Sequence, residues 1–248
     1  MPEMPPFPWQ VALSTTWAVL SNGRRSLRRD ALRCTRRVQI RVQAGEHIPQ
    51  AGPGVVLVNH YYRPGFSAAW IALCVSAAVP QELVWVMSAA WTEADTVASK
   101  IKAALSVPLY PRLARVYGLI SMPPMPPRPH EIRDRALAVR KILAVAQQKP
   151  GFLLAIAPEG RDSPGGVLGQ PPPGVGRLLA KLAKSGVGFF PVGVFEQADQ
   201  VVLNFGHVFR LTTAEGLSSQ EIDRQTADTA MRAIAALLPP ELRGDYAD

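Results

Sequence analysis

The sequence predicts an α/β fold: a mixed, largely parallel sheet flanked by helices, preceded by an N-terminal amphipathic basic helical segment. Three observations predict it. Short, wholly apolar runs, VVLV at 55–58 and FLLAIA at 152–157, read as strands buried on both faces, as strands of parallel sheets are. Helical stretches at 67–79, 130–148 and 218–238 alternate with such runs, as crossover units require. The chain has 248 residues, of which 48% are hydrophobic, enough for a core that needs neither disulfide nor metal.

Along the chain, residues 7–20, FPWQVALSTTWAVL, carry no charge, and helical spacing puts Trp9, Ala12, Leu13, Thr16, Trp17 and Leu20 on one face. VQIRVQ at 38–43 alternates like a half-buried strand. The strand at 55–58 ends at Asn59-His60, and a buried Ala-rich helix follows at 67–79. ELVWVM at 82–87 is the next strand and 93–106 a helix, with 107–129 irregular. In the helix at 130–148, Ile132, Ala136, Val139, Leu143 and Ala146 form the candidate buried side. The strand at 152–157 runs into PEGRDSPGG, and 171–186 is a loop then a helix. Strands at 187–196 and 201–211 precede the last helix, with Ser219 as N-cap. The expected division is a membrane-facing segment at 1–37 and one α/β domain at 38–248.

Charge narrows the partners. The net charge is +8, and Arg24, Arg25, Arg28, Arg29, Arg33, Arg36, Arg37 and Arg41 cluster against Asp30 alone. A basic run beside a Trp-bearing apolar helix fits an anionic membrane surface. Without interleaved aromatics or a nucleic-acid motif, nucleic acid is not an expected partner. Fourteen uncharged residues are too few to span a bilayer, which takes about 20. The positive charges follow the apolar part, so it does not read as a signal peptide. The expected location is the cytoplasmic face of a membrane, peripheral or monotopic.

Two strand exits carry the chemistry. In open α/β sheets ligands bind beyond the carboxyl ends of strands. VNHYYRPGF at 58–66 places a histidine, a candidate general base, at such an end. APEGRDS at 157–163 places Glu159 behind a wholly apolar strand, where a carboxylate needs partners, and Arg161 where it can fork onto a phosphate. His47, His130 and His207 have weaker settings. There is no G-x-S-x-G, no phosphate-loop lysine and no His-Glu-x-x-His; with two cysteines, no metal is expected.

Together these exits resemble the glycerophospholipid acyltransferases of the lysophosphatidic acid acyltransferase type. NHYYRPG resembles that family's Asn-His-x4-Asp block, APEGRDS its Phe-Pro-Glu-Gly-Thr-Arg-Ser block, and FFPVGVFE its apolar strand with a central proline. The resemblance implies O-acyl transfer from an acyl thioester, acyl-CoA or acyl-carrier protein, to a glycerol phosphate or lysophospholipid, with no cofactor. It makes His60 the base and gives Glu159, Gly160 and Ser163 the family's corresponding positions; these three, with Asn59 and the candidate anion contacts Arg63 and Arg161, are the expected substrate-binding residues.

The departures are Gly65 where the family has Asp, Pro124 where its second block has an acceptor-binding Arg, and Arg161-Asp162 for Thr-Arg. Loss of Asp in one block with gain in another suggests Asp162 as a relocated orienting carboxylate. The alternatives are a catalytically degenerate lipid- or acyl-chain-binding protein of the same fold, or a thioesterase with water as acceptor.

Overall fold

A computed structural model describes residues 4–91, 97–124, 128–148, 151–162, 164–214 and 216–247. Seven strands form one sheet: β1 (Ile40–Gln43), β2 (Gly54–Val58), β3 (Leu83–Ser88), β4 (Ile120–Met122), β5 (Leu153–Ile156), β6 (Gly188–Gln197) and β7 (Gln200–Phe205). Their order is β1-β7-β6-β2-β5-β3-β4, and every neighbouring pair is parallel except β6 with β7. That exception is a two-residue hairpin, with Ala198 and Asp199 both at positive φ, the turn whose twist suits a hairpin. The carboxyl ends of β2, β3, β4, β5 and β6 therefore share one edge.

Both faces of the sheet are covered. All five residues of β2 are buried. Val56 and Val58 face α2 (Leu27–Cys34) and α3 (Ala68–Ala78) through Ala31, Cys34, Ile71 and Cys74. Val55 and Leu57 face the opposite layer of α5 (Ile132–Ala146), α6 (Val175–Ala183) and α7 (Ser219–Ala235), through Ile142, Leu179, Leu182 and Met231. At the α6–α7 crossing a Cβ on Gly176 would lie 1.8 Å from the Asp223 carbonyl oxygen, so only glycine admits that approach.

The N-terminal segment is two helices, α1 (Trp9–Leu20) and α2. Leu27, Ala31 and Cys34 of α2 belong to the same buried cluster as Trp70 and Cys74, so the basic run is built into the core rather than appended to it. Its single acid is the anchor. Asp30, 2% exposed, takes the forked guanidinium of Arg25 at 2.7 and 2.6 Å and the Tyr117 hydroxyl at 3.0 Å. A carboxylate this deep is tolerable only with such partners. Arg28 donates to the Val79 carbonyl and Arg24 to that of Arg115.

Three sequence expectations are corrected. Residues 107–117 are not irregular: α4 (Val97–Tyr117) continues through Pro108 and Pro111, and β4 follows it. The side of α5 turned inward carries Ala138, Ile142 and Ala146; of the expected set Ala146 is buried and Leu143 packs partly against the core, while Ile132 is 68% exposed. The N-cap of α7 is Ser218, whose hydroxyl accepts from the Glu221 N–H while the Glu221 carboxylate accepts from the Ser218 N–H. In addition, β7 stops at Phe205; the chain beyond touches the sheet through the Phe189–Phe209 bridge.

Candidate active site

Two adjacent strand exits are locked to each other before any side chain reaches solvent. β2 and β5 pair in parallel, so Asn59-His60 and Ala157–Gly160 leave the sheet side by side. Asn59, 1% exposed, donates its side-chain amide to the Val194 carbonyl at 2.8 Å and accepts from the Val194 N–H at 2.7 Å. It thereby extends the β2–β6 ladder by one rung made of side chain. Glu159, also 1% exposed, accepts the His60 backbone N–H on Oε1 at 2.6 Å and the Gly169 N–H on Oε2 at 2.8 Å. Both residues were expected among the substrate contacts. Their burial assigns them instead to holding the backbone that presents His60.

The turn after β5 then brings a carboxylate to the imidazole. Gly160 takes φ +63 and its N–H donates to the Ala157 carbonyl, reversing the chain. Two residues later Asp162 Oδ1 lies 2.9 Å from His60 Nδ1, with the two side chains 13% and 18% exposed. The approach is lateral: among the described residues Nδ1 has no hydrogen-bond partner. Catalytic hydrogen bonds are often loose before substrate closes the site. With Nδ1 beside Asp162, Nε2 is the ring nitrogen open to a reactant. Tyr110 of α4 adjoins the carboxylate; burial first, and then the Asp162 charge, push its hydroxyl above the ordinary phenol range, so it stays protonated.

The segment from 61 to 66 forms a tight turn clamped to β6. Arg63 and Phe66 exchange backbone hydrogen bonds around Pro64-Gly65, and Gly65 sits at φ +85. A side chain there would be strained and would meet the Arg63 guanidinium at 3.2 Å. The Arg63 guanidinium is forked onto Glu196 at the end of β6, through Nε and Nη2, both at 2.5 Å, and the Tyr61 hydroxyl donates to the same carboxylate at 3.1 Å. Burial disfavours charging Tyr61, and Glu196 disfavours it further, so that hydroxyl is also held neutral. Arg63, expected as an anion contact, is thus a clamp between the 61–66 turn and β6. Arg161 is exposed, and Ser163 lies outside the described residues.

Sequence reasoning missed Glu196, Tyr110 and Asp30. Glu196 had a usable signal, since it ends an apolar strand just as Glu159 follows one. Tyr110 had none, because its helix was expected to end at residue 106. Among the other histidines, His47 and His207 pack against each other with tilted rings, 3.8 Å between centroids, at the β1–β7 side of the sheet, and His130 is exposed. No group of three or more potential metal ligands exists among the described residues.

Beyond the carboxyl ends of β3, β4 and β5 opens a cavity of about 640 Å³. Ala157, Pro158 and Gly160 form part of its wall, while His60 and Asp162 do not line it. The 157–160 turn therefore stands between the cavity and the imidazole.

No family model and no curated protein matches this chain. The fold is nonetheless that of a solved acyltransferase. The crystal structure of the 1-acyl-sn-glycerophosphate (LPA) acyltransferase PlsC from Thermotoga maritima superposes with a TM-score of 0.52 over 91% of this chain and 82% of that one, at 14% identity. The two chains accordingly share an overall fold. At that identity the likeness is one of fold, and the chemistry rests on the residues above.

Proposed function

We propose that this protein transfers a fatty acyl group from an acyl thioester to the hydroxyl of a glycerol phosphate or lysophospholipid. The observation that carries the reading is the 2.9 Å approach of Asp162 to His60 in a chain whose position 65 is glycine. Once substrate binding aligns it with Nδ1–H, a carboxylate beside the inner ring nitrogen holds the imidazole in the tautomer that leaves Nε2 basic and favours the imidazolium once formed. In the reaction, Nε2 accepts the acceptor hydroxyl's proton as its oxygen attacks the thioester carbonyl. The tetrahedral intermediate collapses, the C–S bond breaks, and the imidazolium returns the proton to the departing thiolate. The thioester, from acyl-CoA or acyl-carrier protein, supplies the activation, so the reaction as written draws on no resident cofactor.

The N-terminal helices support a membrane location. Trp9, Leu13, Trp17 and Leu20 of α1 are 62–73% exposed, while Val11 and Ala18 point inward. α4, tied to α1 through the Thr15–Tyr117 hydroxyl pair, exposes Ile101, Leu105 and Leu109 at helical spacing. No helix among the described residues is long and apolar enough to cross a membrane. An apolar face beside arginines suits an interfacial position on an anionic leaflet, the cytoplasmic one, where acyl acceptors reside.

The test is release of free thiol from acyl-CoA by purified protein, with and without lysophosphatidate, and mass analysis of the lipid product. Diacylated product from wild type and none from His60→Ala is the expected result. No product from wild type, or equal product from His60→Ala, refutes the proposal; free fatty acid in place of acylated lipid would make the protein a thioesterase.

A further inference from the structure

The basic run at the start of α2 encloses a second concavity, at the opposite edge of the sheet from His60. It measures about 270 Å³ and is lined by Arg24, Arg25, Ser26, Arg29, Asp30 and Arg33. Glu82, directly before β3, fixes its place by accepting the Ser26 hydroxyl at 2.8 Å and the Arg28 N–H at 3.0 Å. The concavity therefore sits at the amino end of β3, while His60 and Asp162 follow the carboxyl ends of β2 and β5. Six strand residues, at about 3.3 Å each, put roughly 20 Å between the two. An acceptor poised at His60 cannot place its phosphate here.

The charges around this concavity do not cancel. Asp30 is the acid in its lining, and it is buried and committed to the Arg25 fork and the Tyr117 hydroxyl. Arg33 reaches Asp30 only at 3.5 Å, and Arg24 donates to a neutral partner, the Arg115 carbonyl. The Arg29 guanidinium has no carboxylate within 4.0 Å among the described residues. Arg24, Arg29 and Arg33 are exposed, and Arg29 and Arg33 stand one turn apart on α2, a spacing at which like charges disfavour the helix unless an anion lies against them. The base beneath them is fixed, with Leu27, Ala31 and Cys34 buried and the Arg25 N–H bonded to the Val116 carbonyl. The first N–H groups of α2 are already taken, that of Arg28 by Glu82 and that of Arg29 by the Ser26 hydroxyl, so a ligand here meets side chains and not the helix end.

An apolar surface precedes these cations in the chain. Trp17 and Leu20 are 71% and 73% exposed at the last turn of α1. The link to Arg24 folds back on that helix, Ser21 N–H donating to the Trp17 carbonyl and Gly23 N–H to that of Ala18, so no spacer parts the apolar end of α1 from the concavity. An anion joined to hydrocarbon uses both surfaces; a soluble anion uses one. The space suits a small headgroup and is short of the ~300 Å³ at which whole-ligand pockets begin. A phosphomonoester brings about −1.5 to −2 charge at pH 7 and three acceptor oxygens. A phosphodiester brings less charge and fewer free oxygens, and guanidinium forks converging on one space favour the former.

We propose that this concavity binds the phosphomonoester headgroup of a diacyl lipid, the phosphate at Arg24, Arg29 and Arg33 and the chains over Trp17 and Leu20. The inference rests on the interfacial location proposed above and not on the acyl-transfer chemistry. It goes beyond attraction to a negative leaflet in one respect: at equal surface charge, the monoester lipid is the preferred one.

Sedimentation of the full chain with phosphatidylcholine vesicles tests it, one set doped with phosphatidate and the other with enough phosphatidylglycerol to match its surface charge. Partition onto the phosphatidate set should be about 10-fold tighter or more, because charge-assisted contacts to phosphate are among the stronger ones. Arg29→Gln with Arg33→Gln should bring that preference down to about 2-fold or less, and Arg29→Gln alone, which breaks no ion pair, should lower it about 3-fold, so the test stands even if the double variant is unstable. Arg36→Gln with Arg37→Gln takes the same charge from exposed positions outside the concavity; it should weaken partition onto both sets alike and keep the preference. Glycerol 3-phosphate and CoA, soluble phosphates without a diacyl tail, should not displace the protein from the phosphatidate vesicles. His60→Ala should show the wild-type preference, so failure of this site and failure of acyl transfer are distinguishable. The proposal is overturned if wild type partitions equally onto the two sets or onto neither, if Arg29→Gln and the Arg29/Arg33 variant both keep the full preference, if the Arg36/Arg37 variant loses it to the same degree, or if the soluble phosphates abolish it.

Discussion

Replacing Asp162 with Asn isolates the contribution of the relocated carboxylate. The change keeps the side chain's shape and removes only its charge, in a corner where both partners are largely shielded, at 13% and 18% exposure. Taking the charge centres of an imidazolium and a carboxylate as ~4 Å apart and an effective dielectric near 20, the lost attraction is about 4 kcal/mol. That is on the order of 10³ in rate if the imidazolium is fully formed in the transition state. An amide also offers an N–H to Nδ1, favouring the wrong tautomer, and where a triad aspartate is already aligned the same change costs around 10⁴. Here the approach is lateral, so part of the alignment has to be gained on substrate binding. The expected fall in kcat is between about 10² and 10⁴, with KM changed less than roughly 3-fold, because the carboxylate acts on charge that develops only after binding.

Thiol release from acyl-CoA in the presence of lysophosphatidate reads both constants. Asp162→Glu should recover part of the loss, since it restores the charge at a displaced position. Gly65→Asp, alone or with Asp162→Asn, should not recover it: φ +85 and the Arg63 guanidinium 3.2 Å from the new Cβ prevent the side chain from settling. If Asp162→Asn retains kcat within 3-fold while His60→Ala is inactive, the imidazole works without this carboxylate and the reasoning fails.

Further outcomes follow from other parts of the molecule. Glu159→Gln presents an amide N–H₂ to one of two backbone N–H donors, at His60 or Gly169; a buried unsatisfied donor costs about 1–3 kcal/mol, read as a lower thermal midpoint by roughly 2–12 °C together with reduced kcat. Trp9→Ala with Trp17→Ala removes two rings worth roughly 2 kcal/mol each at an interface, so partition onto phosphatidylglycerol vesicles, followed by sedimentation, should fall by two to three orders of magnitude with no change in thermal midpoint. Burial raises the Cys74 thiol to about 12, and burial followed by the Asp30 charge raises Cys34 to about 11. Below the ordinary thiol range both states keep their protons and full stability is present; between about pH 9 and 12 the unfolded chain ionises first and stability declines, by about 1 kcal/mol per pH unit per thiol. Denaturant unfolding of Cys74→Ala should show a shallower alkaline decline than wild type.

The layered architecture was readable because parallel strands buried on both faces leave unbroken apolar runs, and 55–58 and 152–157 are such runs. What escaped was governed by contacts distant in sequence. The helix was expected to end at residue 106, yet α4 continues through Pro108 and Pro111 and packs on α1 and β4. That extension carries Tyr110 to Asp162 and Tyr117 to Asp30, two pairings that local spacing cannot reveal. Residue types marked the strand exits but not the direction each side chain takes. Asn59, Glu159 and Arg63 all read as ligand contacts, and all three turn inward, because a buried polar group next to a free backbone N–H or an opposite charge is satisfied there first.

That inward turn also accounts for how an orienting carboxylate can change position in the chain. The imidazole is fixed through its own backbone, by Glu159 on His60 N–H and by Asn59 on β6, so its placement does not depend on the 61–66 turn. That turn tightens around Gly65 and is clamped by Arg63 on Glu196. The turn after β5 is tied to the same point by the other end of the same interaction, since Glu159 is only three residues from Asp162. At position 65 any side chain would be strained at φ +85, whereas position 162 holds a carboxylate 2.9 Å from Nδ1. The backbone scaffold and the orienting charge are separable parts of this site, and Glu159 is the residue that couples them.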